Sequence, residues 1–401
     1  MDTSKAKFQH CGLPYSQWPD ADKAAWEAAN QAADIFDEAG KAAGWRPKSR
    51  ASAQRAYGRL LAWLSSQEVN LEAEQPAVRL TRDRMQGYAA FLQATCSSVS
   101  VASYFGVLCM CVIAMFPMHD WGWLRLAQRQ LRRAASPTRA KAEYLVPLFD
   151  LLKLGMDLME ESEEGIDAIP ADAAGERARL KAARTYRNGL MIALLACRPV
   201  RVGNLLQTQI GKHLQISDRM VTVQYTKHET KHKRALAFVW PQDLRPALDR
   251  YLQVVRPMLM NANVPGSRAP TPKPAAFALW IAQGGAALTP AGLHKAISRH
   301  TSARFGYPIV AQRFRDCVAT TVVNDDPSLV NDAANLLGHT NKRTTERHYI
   351  AANTLAAFAE YHKGTSKNSL FFGVSQQFFR ALLGAMPPRD AIFGPLTRLT
   401  S

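Results

Sequence analysis

Apolar residues in the first third of the chain recur every three or four positions, the spacing of an amphipathic helix. This spacing covers residues 50 to 65, 84 to 96 and 100 to 116, while residues 20 to 41 are alanine-rich with interspersed acids. Such a period predicts helices, because one face of each helix can then be buried. The first third of the chain is therefore predicted to be all-helical.

The second half of the chain adds the alternation of apolar and polar residues that is typical of strands. After apolar helical patterns at residues 144 to 159 and Ala182 to Ala196, alternation covers His213 to Tyr225 and Ala235 to Trp240. These two runs predict a β-hairpin whose tip is Thr226 to Arg234. We expect a mainly α fold with a small antiparallel β-sheet, an α+β architecture. The remaining helices are predicted at residues 244 to 258, 291 to 304, 312 to 324, 328 to 337 and 345 to 362.

Charge is distributed unevenly between these elements. The stretch from Arg125 to Lys141 contains no acid and is broken by Ser136-Pro137, so it is predicted to be a basic linker. The stretch from Glu160 to Glu176 is acidic and is predicted to be an exposed loop that points away from any bound polyanion. The linker arginines could contact a DNA backbone, whereas a solvated helix face is the alternative. The candidates are Arg129, Arg132, Arg133 and Arg139. Lys227, in the predicted hairpin tip, is a further candidate for DNA contact.

The length and net charge of the chain bear on its number of domains and on its partners. A chain of 401 residues is too long for one ordinary core, and fifty Lys and Arg against thirty-three Asp and Glu give a net charge of +17. The excess favours a polyanionic partner such as nucleic acid, although charge alone fits an unrelated basic protein equally well. We predict a helical DNA-binding domain over residues 1–137 that ends in the basic linker. A second domain over 138–365 and a tail over 366–401 follow.

Other features restrict the cellular setting. The six cysteines lack the spacing of a zinc site and fit reduced core residues, and the first residues do not form a signal peptide. We therefore expect a cytoplasmic, nucleoid-associated protein without a metal site. Val101 to Met118 is almost wholly apolar and long enough to span a bilayer. A helix buried in a helical domain explains this stretch better, so no membrane partner is expected.

Five residues of the second half could together cut a phosphodiester. A tyrosine oxygen that attacks phosphorus needs two fixed guanidiniums on the non-bridging oxygens and proton donors for the reacting oxygens. Either arginine alone would more often be a structural ion pair, and a lone tyrosine on a helix is usually a packing residue. The candidates, in chain order, are Arg201, Lys231, Arg315, His339 and Tyr349.

The strings around these residues carry a family resemblance. The chain resembles the tyrosine recombinases, also called the phage integrase family, over residues 138 to 365, and its helical first third looks like their core-binding domain. The matching strings, in family order, are Arg201-Val202-Gly203-Asn204-Leu205, Thr230-Lys231, Phe314-Arg315-Asp316-Cys317 and Gly338-His339 with Tyr349.

The resemblance implies that residues 138–365 form a catalytic domain, and it implies a role for each residue. Tyr349 would attack the scissile phosphate, form a 3′-phosphotyrosyl link and free a 5′-hydroxyl, without ATP, metal or another cofactor. Arg201 and Arg315 would hold the phosphate, and Lys231 would protonate the leaving oxygen. His339 would donate a hydrogen bond to the phosphate and assist proton transfer.

Several assignments have competitors. Lys227 competes with Lys231, Arg198 with Arg201, and Arg313 with Arg315. The family usually has a histidine three residues before its second arginine, where this chain has Gln312, which can donate a hydrogen bond but cannot act as a base. Gln312 therefore either keeps only the binding role or marks an impaired enzyme.

The expected function is a site-specific DNA recombinase or integrase that acts through a Holliday junction. Its partners would be double-stranded DNA, further copies in a tetramer on paired sites, and a directionality factor. The alternatives are a DNA-relaxing enzyme like the type IB topoisomerases and a non-cleaving DNA-binding relative. The apolar stripe after Phe371 could complete the catalytic core or dock on a neighbouring protomer.

Overall fold

The computed structural model describes residues 12–136, 145–170, 172–231, 233–262 and 273–325. The chain divides into two compact units, Met1–Ala140 and Lys141–Ser401. We call them unit 1 and unit 2 and describe each by itself. Among the described residues the chain is mostly helical with a small antiparallel sheet, which confirms the predicted fold class. The helices predicted at 328 to 337 and 345 to 362 lie outside the described residues.

Helices that pack around one apolar helix form unit 1. Both α3 and α4 begin at a capping side chain, because the Thr81 and Ser97 hydroxyls accept the backbone N–H of Arg84 and Ser100. The helix α4 packs against the other four and contributes much of the core. The bounds are Asp20–Asn30 for α1, Pro47–Ser66 for α2, Arg82–Thr95 for α3, Ser98–Met115 for α4 and Gly122–Ala134 for α5.

One helix among the described residues, α4, is long and apolar enough to cross a membrane by length and composition. Its residues Val101, Phe105, Leu108 and Val112 lie in the core of unit 1. The core helix of a helical domain passes the same test of length and composition. The burial of these side chains therefore agrees with the prediction that this stretch is a buried helix.

The predicted basic linker is wrong over most of its length, because Arg125 to Arg133 lie within α5. The helix forms because Leu124, Ala127 and Leu131 recur at helical spacing and pack on the core, with Leu124 fully buried. The arginines therefore occupy the exposed face of a packed helix, which is the stated alternative to a DNA-contacting linker.

A buried ion pair joins three parts of unit 1. The Arg79 guanidinium donates to the Asp22 carboxylate at 2.5 Å, and the Tyr57 hydroxyl donates to the other oxygen of that carboxylate at 2.6 Å. Both charged side chains are fully buried. Burial, followed by the nearby Asp22 charge, raises the pKa of Tyr57 well above its usual range. The pair thus fixes α1 and α2 to the turn before α3.

Neutralising this carboxylate is expected to destabilise unit 1. In Asp22→Asn the buried Arg79 charge has lost its counter-charge, and the free energy of unfolding should fall by about 3–5 kcal/mol. The measurement is urea unfolding followed by circular dichroism and tryptophan fluorescence. Asp20→Asn is the matched control, since its ion pair with Lys23 is exposed and should contribute no more than about 1 kcal/mol. Equal stability of the two variants would contradict this account.

Two long helices that touch backbone to backbone dominate unit 2. They are α6, Leu148–Asp167, and α7, Ala173–Cys197. A Cβ added to Gly155 would lie 2.6 Å from the Ala193 nitrogen, and one added to Gly189 would lie 2.6 Å from the Gly155 oxygen. Only residues without a Cβ fit here, so the glycine pair sets the separation of the helices.

The predicted acidic loop from Glu160 to Glu176 is also wrong. The helix α6 continues to Asp167, because Ser162 and Ile166 face the core while the acids face outward. Arg250 pairs with Glu163 at 2.5 Å and with Asp167 at 2.8 Å, which anchors this end of the helix. Most of the acidic stretch is therefore a charged helix face.

Within the described part of unit 2, three antiparallel strands form a sheet in the order β1-β2-β3. The predicted strand from His213 to Tyr225 is divided by a turn, in which the Ser217 N–H donates to the Met220 carbonyl at 3.0 Å. The loop between the second and third strands contains the predicted hairpin tip. The strands are Leu214–Ile216 for β1, Val221–Tyr225 for β2 and Leu236–Val239 for β3.

The remaining helices of unit 2 position two of the predicted site residues. The short α8 starts directly after Arg201, and α12 contains Arg315 in its first turns. A π-helical turn, Tyr251–Val255, separates α9 from α10. The bounds are Val202–Gln207 for α8, Arg245–Arg250 for α9, Arg256–Asn261 for α10, Pro290–Phe305 for α11 and Ala311–Asp325 for α12.

Candidate active site

The structure brings Arg201 and Arg315 together. Arg315 is buried, and its guanidinium Nη1 donates to the Pro199 carbonyl at 2.5 Å, two residues before Arg201. Burial and then the positive charge of Arg201 lower the pKa of Arg315 to about 10, so it remains charged at neutral pH. Two guanidiniums distant in sequence therefore lie close enough to repel each other.

This arrangement favours an anion. Arg201 is half-buried, and burial lowers its pKa. Within the described ranges its guanidinium makes no hydrogen bond or ion pair. A phosphate would neutralise part of the repulsion, and guanidiniums can donate forked hydrogen bonds to its oxygens. The pair is thus chemically suited to hold a phosphodiester.

The competing arginines lie differently. Arg198 is buried, its Nη1 donates to the Cys197 carbonyl at 3.1 Å, and burial lowers its pKa. Arg313 precedes Arg315 by two residues, so the two point about 200° apart around the helix axis. Arg198 is therefore buried and bonded to a backbone carbonyl as Arg315 is, whereas Arg201 is half-buried, and the two arginines of α12 face different sides of that helix.

Gln312 lies one turn before Arg315 on α12 and is exposed. Residues three apart on a helix share a face, so the Gln312 amide lies on the Arg315 side of the helix. From there it could donate to a phosphate oxygen but not accept a proton at neutral pH.

Lys227 and Lys231 are both exposed in the loop between β2 and β3. Glu229, midway between them, anchors the loop. Its carboxylate accepts from Lys212 Nζ at 2.6 Å, from His213 Nε2 at 3.1 Å, and from the Thr226 backbone and hydroxyl at 2.9 and 3.0 Å. We call this arrangement the Glu229 clamp.

The hydrogen bonds of the Glu229 clamp indicate which of its side chains are charged. The His213 ring accepts the Gln209 N–H at Nδ1, so the proton lies on Nε2 and is donated to Glu229. The Lys212 hydrogen bond, followed by that of the Thr226 backbone, holds the pKa of Glu229 well below its usual range. The glutamate is therefore ionised, and the histidine needs no charge to pair with it.

The clamp also joins the lysine loop to the helix that follows Arg201. The Gln207 amide, at the end of α8, donates to the Glu229 carbonyl at 3.1 Å. Thr230 closes the other side, since its hydroxyl donates to the Arg234 carbonyl at 2.6 Å and accepts the Arg234 N–H at 3.1 Å. The base of the loop is thus fixed, while both lysine side chains stay exposed. Glu229, Gln207 and His213 are not among the site residues predicted from the sequence, in which the acid between two lysines is the one local signal.

The basic residues of unit 1 lie apart from this site in the sequence. Arg129, Arg132 and Arg133 are exposed on α5. Arg139, His339 and Tyr349 lie outside the described residues, so their assignments stay predictions. Among the residues that the structure describes, no group of three or more His, Cys, Asp or Glu could hold a metal ion.

Comparison with known proteins gives a limited result. No protein-family model and no curated protein matches the sequence. Among solved structures, the crystal structure of XerA recombinase is similar, with 14% sequence identity over 82% of this chain and 95% of that chain and a TM-score of 0.35. A similarity with this TM-score and sequence identity supports no statement about the site. The description of the site therefore depends on the positions of its own residues.

Removal of the Glu229 charge is expected to loosen the lysine loop. In Glu229→Gln the hydrogen bonds from Lys212 and His213 lose their charged acceptor, a loss of about 1.5–3 kcal/mol for such bonds. Amide hydrogen exchange over residues 226 to 234 should become roughly tenfold faster or more. Because the pKa of Glu229 is depressed, the wild-type protection should be complete above about pH 4.3 and decline as the pH falls below it.

The control for this exchange measurement is Glu161→Gln, which alters an exposed glutamate on α6. It should leave exchange in the loop unchanged. Wild-type exchange rates in Glu229→Gln would show that the clamp does not hold the loop.

Proposed function

We propose that the protein breaks and rejoins strands of double-stranded DNA as a site-specific recombinase or integrase. The observation that supports this most is the proximity of Arg201 and Arg315, brought together by the Arg315 hydrogen bond to Pro199. Paired guanidiniums of this kind suit a phosphodiester that gains negative charge as it reacts. The reaction would take place on the nucleoid, with four copies on paired sites and a directionality factor as a further partner.

In the proposed reaction the scissile phosphate binds between the two guanidiniums. The Tyr349 oxygen attacks phosphorus, the bond to the 5′-oxygen breaks, and the DNA 3′ end becomes linked to the tyrosine. A 5′-hydroxyl from the exchange partner then attacks that link and releases Tyr349. Because one phosphate ester replaces another, strand joining needs no external energy source. His339 would donate to a phosphate oxygen and assist proton transfer.

The leaving 5′-oxygen needs a proton, which we assign to Lys231 with Lys227 as the competitor. The Glu229 clamp supports this role, because it fixes the base of the loop against the helix that begins at Arg201. The exposed ammonium could then reach the leaving oxygen without rearrangement of the strands. Gln312 would serve as a hydrogen-bond donor to the phosphate, so proton transfer falls to the lysine and to His339.

A second candidate is a DNA-binding relative that no longer cuts. Gln312 favours it, since a residue without a titratable proton stands where the resembling family usually has histidine. Under this alternative the arginine pair would still bind a phosphate, and Tyr349 would not form a covalent link.

A nicked suicide substrate separates the two candidates. We expect a protein–DNA band that resists SDS, because the short fragment with the freed 5′-hydroxyl diffuses away and can no longer attack the phosphotyrosyl link. The band should be absent in Tyr349→Phe and unaffected by EDTA. DNA binding by the wild-type protein without any such band would favour the non-cleaving candidate, and abolition by EDTA would contradict the metal-free mechanism.

Lysine should not replace either arginine. In Arg201→Lys and Arg315→Lys the forked hydrogen bonds are lost, so formation of the covalent complex should slow by about 100-fold or more. Arg219→Lys, in the exposed turn between β1 and β2, is the control and should react at the wild-type rate. The rates are measured in single-turnover cleavage with protein in excess, after circular dichroism has shown that each variant is folded. A wild-type rate in both active-site variants would remove the arginine pair from the mechanism.

A further inference from the structure

An apolar groove runs along unit 1 between α4 and α5. It consists of two adjoining cavities of about 650 and 360 Å³, which share Gly106, Met110 and Gln128. Two apolar side chains of its lining, Val99 and Met110, remain 46% and 41% exposed although they lie on the core helix. Apolar surface of this kind on a soluble domain commonly marks a binding site.

The rim of the groove is positively charged. The side chains that line the two cavities include four cations, and none is an acid. The three arginines lie on one face of α5, where residues three and four apart are neighbours. An occupant should therefore combine apolar side chains with negative charge. The four rim cations are Lys41, Arg125, Arg129 and Arg132.

A segment of unit 1 has this chemistry. Residues 34–38, which we call the peg, have the sequence Asp-Ile-Phe-Asp-Glu. Ile35 and Phe36 are 90% and 88% exposed, so they do not occupy the groove of their own copy. The three acids of the peg are also exposed. Two adjacent large apolar side chains between carboxylates thus project into solvent.

The peg is held in shape before any contact forms. The Asp34 carboxylate accepts the backbone N–H of Phe36 and of Asp37, both at 2.7 Å, and the Asp34 N–H donates to the Asp37 carbonyl at 3.1 Å. At its base, Gly40 donates to the Gln31 carbonyl at 2.9 Å. A preformed turn loses less conformational entropy on binding than a flexible loop does.

We propose that the peg of one copy inserts Ile35 and Phe36 into the apolar groove of a second copy, with the peg acids against the cationic rim. The two apolar side chains would fill space lined by apolar side chains, and opposite charges would flank them. Each copy carries both halves of the contact. Such a contact would link copies whether or not they cleave DNA, so it does not depend on the proposed function.

Self-association of the full chain, measured by sedimentation velocity over a concentration series, tests this contact. In the peg variant Ile35→Ser/Phe36→Ser and in the groove variant Arg129→Glu/Arg132→Glu, association should weaken at least about tenfold. A mixture of the two variants should associate more strongly than either alone, because one intact groove can still receive one intact peg. Wild-type protein that stays monomeric throughout the series would overturn the proposal.

Two controls separate this contact from general effects. Ile169→Ser removes an equally exposed apolar side chain that lies outside both the peg and the groove, and it should not change association. Adding Asp37→Arg/Glu38→Arg to the groove variant reverses both sides of the charge pairing and should restore association. Loss of association without restoration, in a chain that circular dichroism shows to be folded, would contradict the charge pairing.

The rim arginines were also predicted to contact DNA, and DNA affinity is therefore measured on the same variants. If the groove variant binds DNA more weakly while self-association stays at the wild-type level, the groove is a DNA-binding surface and the proposal is wrong. The suicide substrate reports the chemistry of Tyr349 separately. Failure of the contact and failure of the proposed function therefore give different results.

Discussion

The backbone contact between α6 and α7 is the constraint on which the geometry of unit 2 depends. Gly155 and Gly189 allow the two helices to approach until backbone atoms touch, and α7 is then buried over most of its second half. The chain leaves that helix at Cys197 and reaches Arg201 four residues later. The position of the first arginine therefore follows from packing that lies far from any surface.

The second arginine depends on the same segment. Arg315 is buried on α12, and its hydrogen bond to the Pro199 carbonyl ties that helix to the end of α7. Packing and this hydrogen bond hold two like charges together against their repulsion. Such an arrangement costs stability in the unbound protein and becomes favourable when an anion binds. Residues kept for function commonly carry a stability cost of this kind.

The sequence predicted regular elements well where periodicity was strong, as at α2, α11 and α12. It failed where a helix face consists of charges. The acids of α6 were interpreted as a loop because their partner, Arg250, is distant in sequence. The arginines of α5 were interpreted as a linker because charge masked the apolar positions beside them. The proximity of Arg201 and Arg315 followed from the resemblance, whereas the Glu229 clamp could not be predicted, since Lys212, His213 and Gln207 contact it through the fold.

The clamp bears on which lysine donates the proton. Lys227 and Lys231 each lie two residues from Glu229, so the hydrogen bonds of Glu229 do not distinguish one lysine from the other. Thr230 does not break this symmetry, because its hydroxyl is bonded to the Arg234 backbone and to the Lys227 carbonyl, while Glu229 holds Thr226 immediately before Lys227. A proton donor works best when its backbone is fixed and only its side chain must move. Both lysines meet this condition, so the assignment of Lys231 over Lys227 comes from the family resemblance.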